Sequence, residues 1–231
     1  MKAAQIHELV PAIDGSPLAL SKLRLVPGAA LTIGDPERDS LSFVFTGSGS
    51  LTLDNGSWPL AAGAAALVLA GEEAELQADD AGLGVVCATV GPDCDGHAPM
   101  GARETVARLD RAGSEKATGA RSFQILFGPR NGSTRATLFA GFIPPGKAPW
   151  HYHLYDEIVW VPEGPGRLHI GDTTEELGPG SAFRLRPRQV HIVENLSLVD
   201  EMTVIGIFTP AGSPSAAYLM PDVSAAYRFA G

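Results

Sequence analysis

Charge, sulfur and long apolar runs are all scarce in this chain. Charged residues make up 19% of its 231 residues, and the net charge is −9. No run of Lys or Arg breaks that acidic balance, which argues against binding to nucleic acid or to an anionic membrane surface. Two cysteines, Cys87 and Cys94, are too few for a disulfide framework. No apolar stretch reaches the ~18 residues that a membrane span needs. The opening MKAAQIHELVPAIDG has one Lys and no apolar block behind it, unlike a secretory signal. The expected compartment is therefore the cytoplasm, and the expected partner is a small molecule.

Turn formers are abundant instead. The 27 glycines and 18 prolines make about a fifth of the chain, well above the usual ~12%. With 45% hydrophobic residues to fill a core, this predicts an all-β protein with few long helices. Thr137–Ile143, Ile158–Val161, Arg167–Ile170 and Met202–Phe208 are short and rich in β-branched or aromatic residues, and Gly or Pro clusters bound them. Many short strands at this spacing indicate a sandwich or barrel.

The chain also repeats itself. At a spacing of 117 residues Gly47 meets Gly164, Gly49 meets Gly166, Leu51 meets Leu168, Leu60 meets Leu177 and Gly63 meets Gly180. Upstream the spacing is 118, where Leu20 meets Leu138 and Pro27-Gly28 meets Pro145-Gly146. Two copies of one module are expected, residues 1–98 and 119–231. Residues 99–118 form a charged linker with one short helix expected at 103–111, where Val106 and Leu109 fit an apolar face. The run Ala61–Ala70 is apolar at nearly every position, so one of its faces must be covered, by the second module or by a second chain in a homodimer.

One segment carries chemistry: Trp150-His151-Tyr152-His153-Leu154-Tyr155-Asp156-Glu157. On a strand, His-x-His points both imidazoles to one face. Glu157 follows His153 by four residues and returns to that face if the strand stays regular; a turn could equally bring it round. His191 is proposed as a third imidazole. Imidazole with carboxylate suits Zn, Mn, Fe, Ni or Cu.

These residues resemble the cupin superfamily. Its first motif is seen as Gly146, four residues, His151-x-His153, three residues, Glu157, six residues and Gly164. The gap after Gly146 is one shorter than usual. The second is seen as Pro187, His191, three residues and Asn195, with Arg188 and Gln189 where the motif has a turn glycine. The resemblance implies a bicupin of two tandem jelly-roll β-barrels. It implies His151, His153, Glu157 and His191 as the ligands of one divalent transition metal (Fe, Mn, Zn or Ni). In the first module the repeat places Ile33 or Gly34, Asp35 or Pro36, Asp39 or Ser40, and Ala74 at those positions, so that copy is expected to hold no metal.

The other candidates have structural readings. His7, His97 and His169 are lone histidines. Cys87 and Cys94 with His97 fall short of a closed zinc site, and Cys87 reads as a small core residue. Arg184 and Arg186 share a strand face, and the outward orientation is the expected one. Trp150 and Tyr152 should face away from the imidazoles. Two functions follow from the resemblance. The first is a metalloenzyme acting on a small polar molecule in the C-terminal barrel, of dioxygenase, isomerase, lyase or hydrolase class. The second is a metal-containing binding or sensor protein without turnover.

Overall fold

The computed structural model describes residues 3–92, 94, 98–117 and 120–220. These residues are built from strands, with two 3-10 turns, Arg111–Gly113 and Pro129–Asn131, and no α-helix among them. No helix among the described residues is long and apolar enough to cross a membrane. The N-terminal half holds β1 (Ala4–Val10), β2 (Leu18–Leu25), β3 (Ala30–Gly34), β4 (Asp39–Leu53), β5 (Gly56–Ala61), β6 (Ala64–Val68) and β7 (Glu73–Val90). Then come β8 (Val106–Arg108) and β9 (Glu115–Lys116). The C-terminal half holds β10 (Ser122–Phe127), β11 (Thr137–Ile143), β12 (Gly146–Lys147), β13 (His151–His153), β14 (Asp156–Trp160) and β15 (Gly166–Ile170). It continues with β16 (Thr173–Leu177), β17 (Ala182–Leu185), β18 (His191–Asn195), β19 (Met202–Thr209) and β20 (Ala217–Leu219).

In the N-terminal half the long strands β4 and β7 pair along their length and bend together. The bend lies at the register shifts near Thr46 and Gly49. Gly47 has a φ of +77° there, and a Cβ on it would stand 2.0 Å from the Gly82 carbonyl oxygen. Only glycine allows both the backbone angle and the close approach. The order β1-β2-β7-β4-β6-β8, with β3 on β7 and β5 on β4, gives one folded sheet rather than a closed ring.

In the C-terminal half the same layout is cut into two sheets, β17-β14-β19-β11-β10-β9 and β16-β15-β18-β13-β20, with β12 on β18. The registers correspond. Leu51 pairs with Leu76 as Leu168 pairs with Val193, and Asp39 pairs with Val90 as Glu157 pairs with Phe208. Ile33 pairs with Ala74 as His151 pairs with His191.

The expected helix at 103–111 does not form. Val106–Arg108 is a strand on the edge of β6, and Leu109 donates its N–H to the Gly63 carbonyl. Two apolar positions make too narrow a stripe for a helix, whereas the β6 edge offers hydrogen-bond partners to an extended chain.

Of four apolar clusters among the described residues, three span the architecture. One fills the N-terminal half around Leu23, Val44, Leu51, Leu76 and Val85. Another fills the C-terminal half around Val159, Leu168, Leu185 and Val204. The third lies between the halves, with Leu18, Leu20, Leu67 and Val86 against Phe127, Leu138, Ile158 and Ile205. The apolar run of β6 is thereby explained: Ala64, Ala66 and Val68 enter the first cluster, while Ala65 and Leu67 enter the third. Arg184 clasps the same junction. Its guanidinium donates to the backbone carbonyls of Leu18 at 2.6 Å and Pro11 at 2.9 Å, and also bonds the Asp156 carboxylate and Ser16. It thus faces away from the C-terminal interior, as expected, and Arg186 is exposed.

Candidate metal centre

The Pro149 break ends the preceding segment, and the three-residue strand β13 follows. His151 and His153 are buried on its inner side, and Tyr152 stacks on Tyr218 on the outer side, with ring centroids 5.3 Å apart. β13 pairs with β18 at His151 and His191, so these two rings lie across one sheet, 4.4 Å apart. The chain then turns at Leu154-Tyr155 and enters β14, which belongs to the opposite sheet. Glu157 reaches the cluster from there, so the turn brings it round rather than a continued strand. The His153 and His191 rings are 5.0 Å apart, and Glu157 Oε2 is 2.8 Å from His153 Nε2. All four predicted site residues therefore converge.

Each imidazole is oriented in the same way. The Nδ1–H groups of His151, His153 and His191 donate to the carbonyls of Pro149 (2.8 Å), Tyr155 (3.0 Å) and Gln189 (2.8 Å). A carbonyl only accepts, so Nδ1 carries the proton and the Nε2 lone pair is left for the cavity. Such backbone support is what fixes the tautomer of ligating histidines. The His153 Nε2, although near Glu157, lies off the line of a hydrogen bond and is a buried polar atom without a hydrogen-bond partner.

The titration behaviour follows from burial. Desolvation pushes His151 down to about 3, helped by the neighbouring His191 and Arg121 charges, and pushes His191 down to about 4. Both are neutral at pH 7 and fit to coordinate. Burial also lowers His153, but the carboxylate of Glu157 more than offsets it and holds that ring above its ordinary value. Burial, with the Glu157 charge, raises the Tyr155 phenol, which stays protonated. Tyr155 stacks on His153 at 4.1 Å and on Phe208 at 4.0 Å.

An orphaned buried Nε2, two neutral imidazoles and a facing carboxylate suit a divalent transition ion in donor type. Their spacing is not that of a finished coordination shell. The cluster opens into a cavity of about 90 Å³ walled by Phe139, Phe142, Ile143, Val159, Val193 and Val204. Arg121 also lines it, with Ala117, Ser122 and Ser215. Arg121 was invisible in the sequence, because it precedes β10 outside any motif.

The turn before His191 departs from the motif yet keeps its shape. Arg188 has a φ of +66°, the only described non-glycine residue in that region, and donates its N–H to the His153 carbonyl at 2.7 Å. It does what a turn glycine would do there.

The remaining candidates lie elsewhere. His169 sits away from the cavity, bonded to Glu194 at 2.7 Å and to Thr174 at 3.2 Å. Cys87 is buried, and burial raises its thiol. Cys94 is half-buried with a free thiol, while His97 lies outside the described residues. In the N-terminal half the register equates Ile33, Asp39 and Ala74 with His151, Glu157 and His191. Ala74 is buried in the apolar cluster, Ile33 packs against it, and Asp39 pairs instead with Arg135 at 3.4 Å.

Comparison with known proteins agrees with this architecture. Residues 140–208 match the family model for the cupin domain. No curated protein matches the chain. AerE from Microcystis aeruginosa is similar in fold, with a TM-score of 0.73, 14% identity, and 90% of this chain and 93% of AerE covered. A variant of oxalate decarboxylase OxdC from Bacillus subtilis gives a TM-score of 0.75 at 15% identity, covering 95% of this chain and 76% of the enzyme. A Cupin 2 conserved barrel domain protein from Leptotrichia buccalis gives 0.63 at 13% identity, covering 90% and 89%. Residues 140–208 thus match a cupin domain, and the chain shares its fold with these proteins.

Proposed function

We propose that this cupin-fold chain is a metal-dependent enzyme acting on a small polar molecule in the C-terminal cavity. In this reading His151, His153, Glu157 and His191 hold one divalent transition ion, drawn from Fe, Mn, Zn or Ni. Mn(II) is the ion named for the centres of the similar B. subtilis oxalate decarboxylase. The reading also takes residues 1–98 and 119–231 as two copies of one barrel module, the first without ligands. The observation that carries it is the common orientation of three imidazoles, each held at Nδ1 by a backbone carbonyl and turned by Nε2 toward one buried cavity.

Such an ion supplies Lewis acidity to a bound oxygen atom. The chain's own residues do the rest. Backbone carbonyls keep the imidazoles in the ligating tautomer. The aromatic and branched walls exclude water and so strengthen polar contacts with the bound molecule. Tyr155, protonated and stacked on His153, keeps that ring in place.

A binding protein without turnover is the second reading. It is favoured by the scarcity of proton-transfer groups, since among the described residues the cavity walls offer Tyr155, Arg121, Ser122 and Ser215 beyond the four proposed ligands. Elemental analysis of protein purified without added metal tests the metal centre, with about one ion per chain expected. Protein that stays metal-free after incubation with each of the four ions would refute it. Turnover of small polar compounds by the loaded protein separates the two readings.

A further inference from the structure

We infer that Phe139, laid in a notch left by Gly206, fixes the class of ligand the C-terminal cavity takes: a molecule of about six heavy atoms, with donor atoms at one end and a hydrocarbon group at the other. The donor end rests on the metal reading, and the hydrocarbon end on the packing of Phe139. On the inner face of the sheet that carries Glu157, Phe139, Gly206 and Val159 stand in one row across β11, β19 and β14. Gly206 has no side chain to hold its neighbours apart, and the Phe139 ring fills the space. A Cβ on Gly206 would stand 2.2 and 2.3 Å from two ring carbons of Phe139 and 2.9 Å from Glu157 Oε1. The ring and the carboxylate oxygen thus border one notch, and the positive edge of an aromatic ring suits an anionic neighbour. Gly141 gives the ring room on its own strand, since a Cβ there would meet Val204 at 2.9 Å and the Phe139 ring at 3.4 Å. Phe123 and Phe208 pack edge-on to Phe139, with centroids 6.5 Å and 5.9 Å away. Two glycines make room for the ring and two phenylalanines hold it there.

Size and polarity follow from that placement. The other oxygen of the Glu157 carboxylate, Oε2, is 2.8 Å from His153 Nε2. The imidazole cluster and Phe139 therefore flank one carboxylate, each beside a different oxygen. The cavity of about 90 Å³ holds on the order of six waters, so the ligand has about as many heavy atoms. Beyond the cluster, strands β11, β14, β17, β18 and β19 wall it with Phe139, Ile143, Val159, Leu185, Val193 and Val204. Such walls favour a hydrocarbon group and leave a polar one without partners. A molecule that is polar throughout would fit the cluster but not these walls, and a bulkier one would meet the Phe139 ring.

The probes are acetohydroxamate and the bulkier benzohydroxamate, which present the same chelating oxygens to a divalent ion, and indole, which needs no metal. Calorimetric titration of metal-loaded wild type, Phe139→Leu and Phe139→Ala should show acetohydroxamate binding all three to within about threefold. Benzohydroxamate should bind Phe139→Ala at least about tenfold more tightly than wild type, with Phe139→Leu between them. Indole, followed by NMR, should enter metal-stripped Phe139→Ala and stay out of stripped wild type. If Phe139→Ala does not fold, Phe139→Leu carries the same comparisons. Gly206→Ala should melt lower than wild type, and Gly206→Ala/Phe139→Leu should lose less than the two single variants together, because the smaller side chain vacates the notch. Equal benzohydroxamate affinity in wild type and the Phe139 variants, indole uptake by wild type, or plain additivity in the double variant overturns the inference while leaving the metal centre standing. Absence of metal from wild type, with indole admitted only by the Phe139 variants, overturns the metal reading and upholds the role of Phe139.

Discussion

At the scale of single residues, the imidazoles are held ready by their neighbours rather than by one another. His191 enters the cluster from β18, and its ring is fixed by the Gln189 carbonyl. Removing it leaves the apolar clusters intact. His191→Ala should therefore lose most of its bound metal while melting close to the metal-free wild type. Elemental analysis alongside thermal unfolding checks this, and full metal content in the variant would remove His191 from the set. The same rings set an acid limit. His151 and His191 are pushed down to about 3 and about 4 when folded, while an unfolded histidine titrates near ~6.5. Below that value the unfolded chain takes up more protons, so stability falls with pH. His153 is shifted the other way; it opposes the trend as pH falls from 7 to about 6.5, is charged in both states below that, and is one ring against two. The urea midpoint of metal-free protein should be lower at pH 5 than at pH 7, and a rise would contradict the burial of these two rings.

At the scale of elements, the sequence showed strands better than it showed their connections. The runs at 137–143 and 202–208 read as strands from their apolar, β-branched content, and they are β11 and β19. The two-residue period of His151-Tyr152-His153 was legible because it needs no partner. The route of Glu157 was not, since the change of sheet at Leu154-Tyr155 depends on where β14 finds its neighbours. The stretch at 103–111 misled because its fate was settled by the open β6 edge, far away in sequence. The turn before His191 lacks the glycine of the motif, and Arg188 supplies the positive φ in its place. A side chain in that region costs about 1 kcal/mol, and more if β-branched. Arg188→Gly should keep metal content and stability, whereas Arg188→Val should lower both. Equal melting of the two variants would show that this turn is not under strain.

At the scale of the molecule, the two halves share a core. Leu18, Leu20 and Leu67 face Leu138, Ile158 and Ile205, and neither set would remain covered alone. A fragment of residues 119–231 should aggregate or bind a hydrophobic dye, because it exposes that face. A soluble, metal-loaded, sharply melting monomer would contradict this. The repeat pointed to the corresponding registers of the two halves, but not to the depth of their union, because the residues that join them look like ordinary strand interiors.

Asp39 stands in the N-terminal half where Glu157 stands in the C-terminal half, and it is tied to Arg135 across the junction. Under the metal reading, a position that serves the site in one half serves the junction in the other. With Asp39 at the junction and Ala74 closed into the core, fitting a second ligand set would undo present stability before any metal could repay it. Ala74→His places an imidazole at a site 1% exposed among apolar side chains, at a cost of roughly 1–3 kcal/mol for an unsatisfied buried polar group. Such a protein should melt lower and gain no second ion. The difference between the two halves is thus held in place by the closed core at Ala74 and by the contact at Asp39.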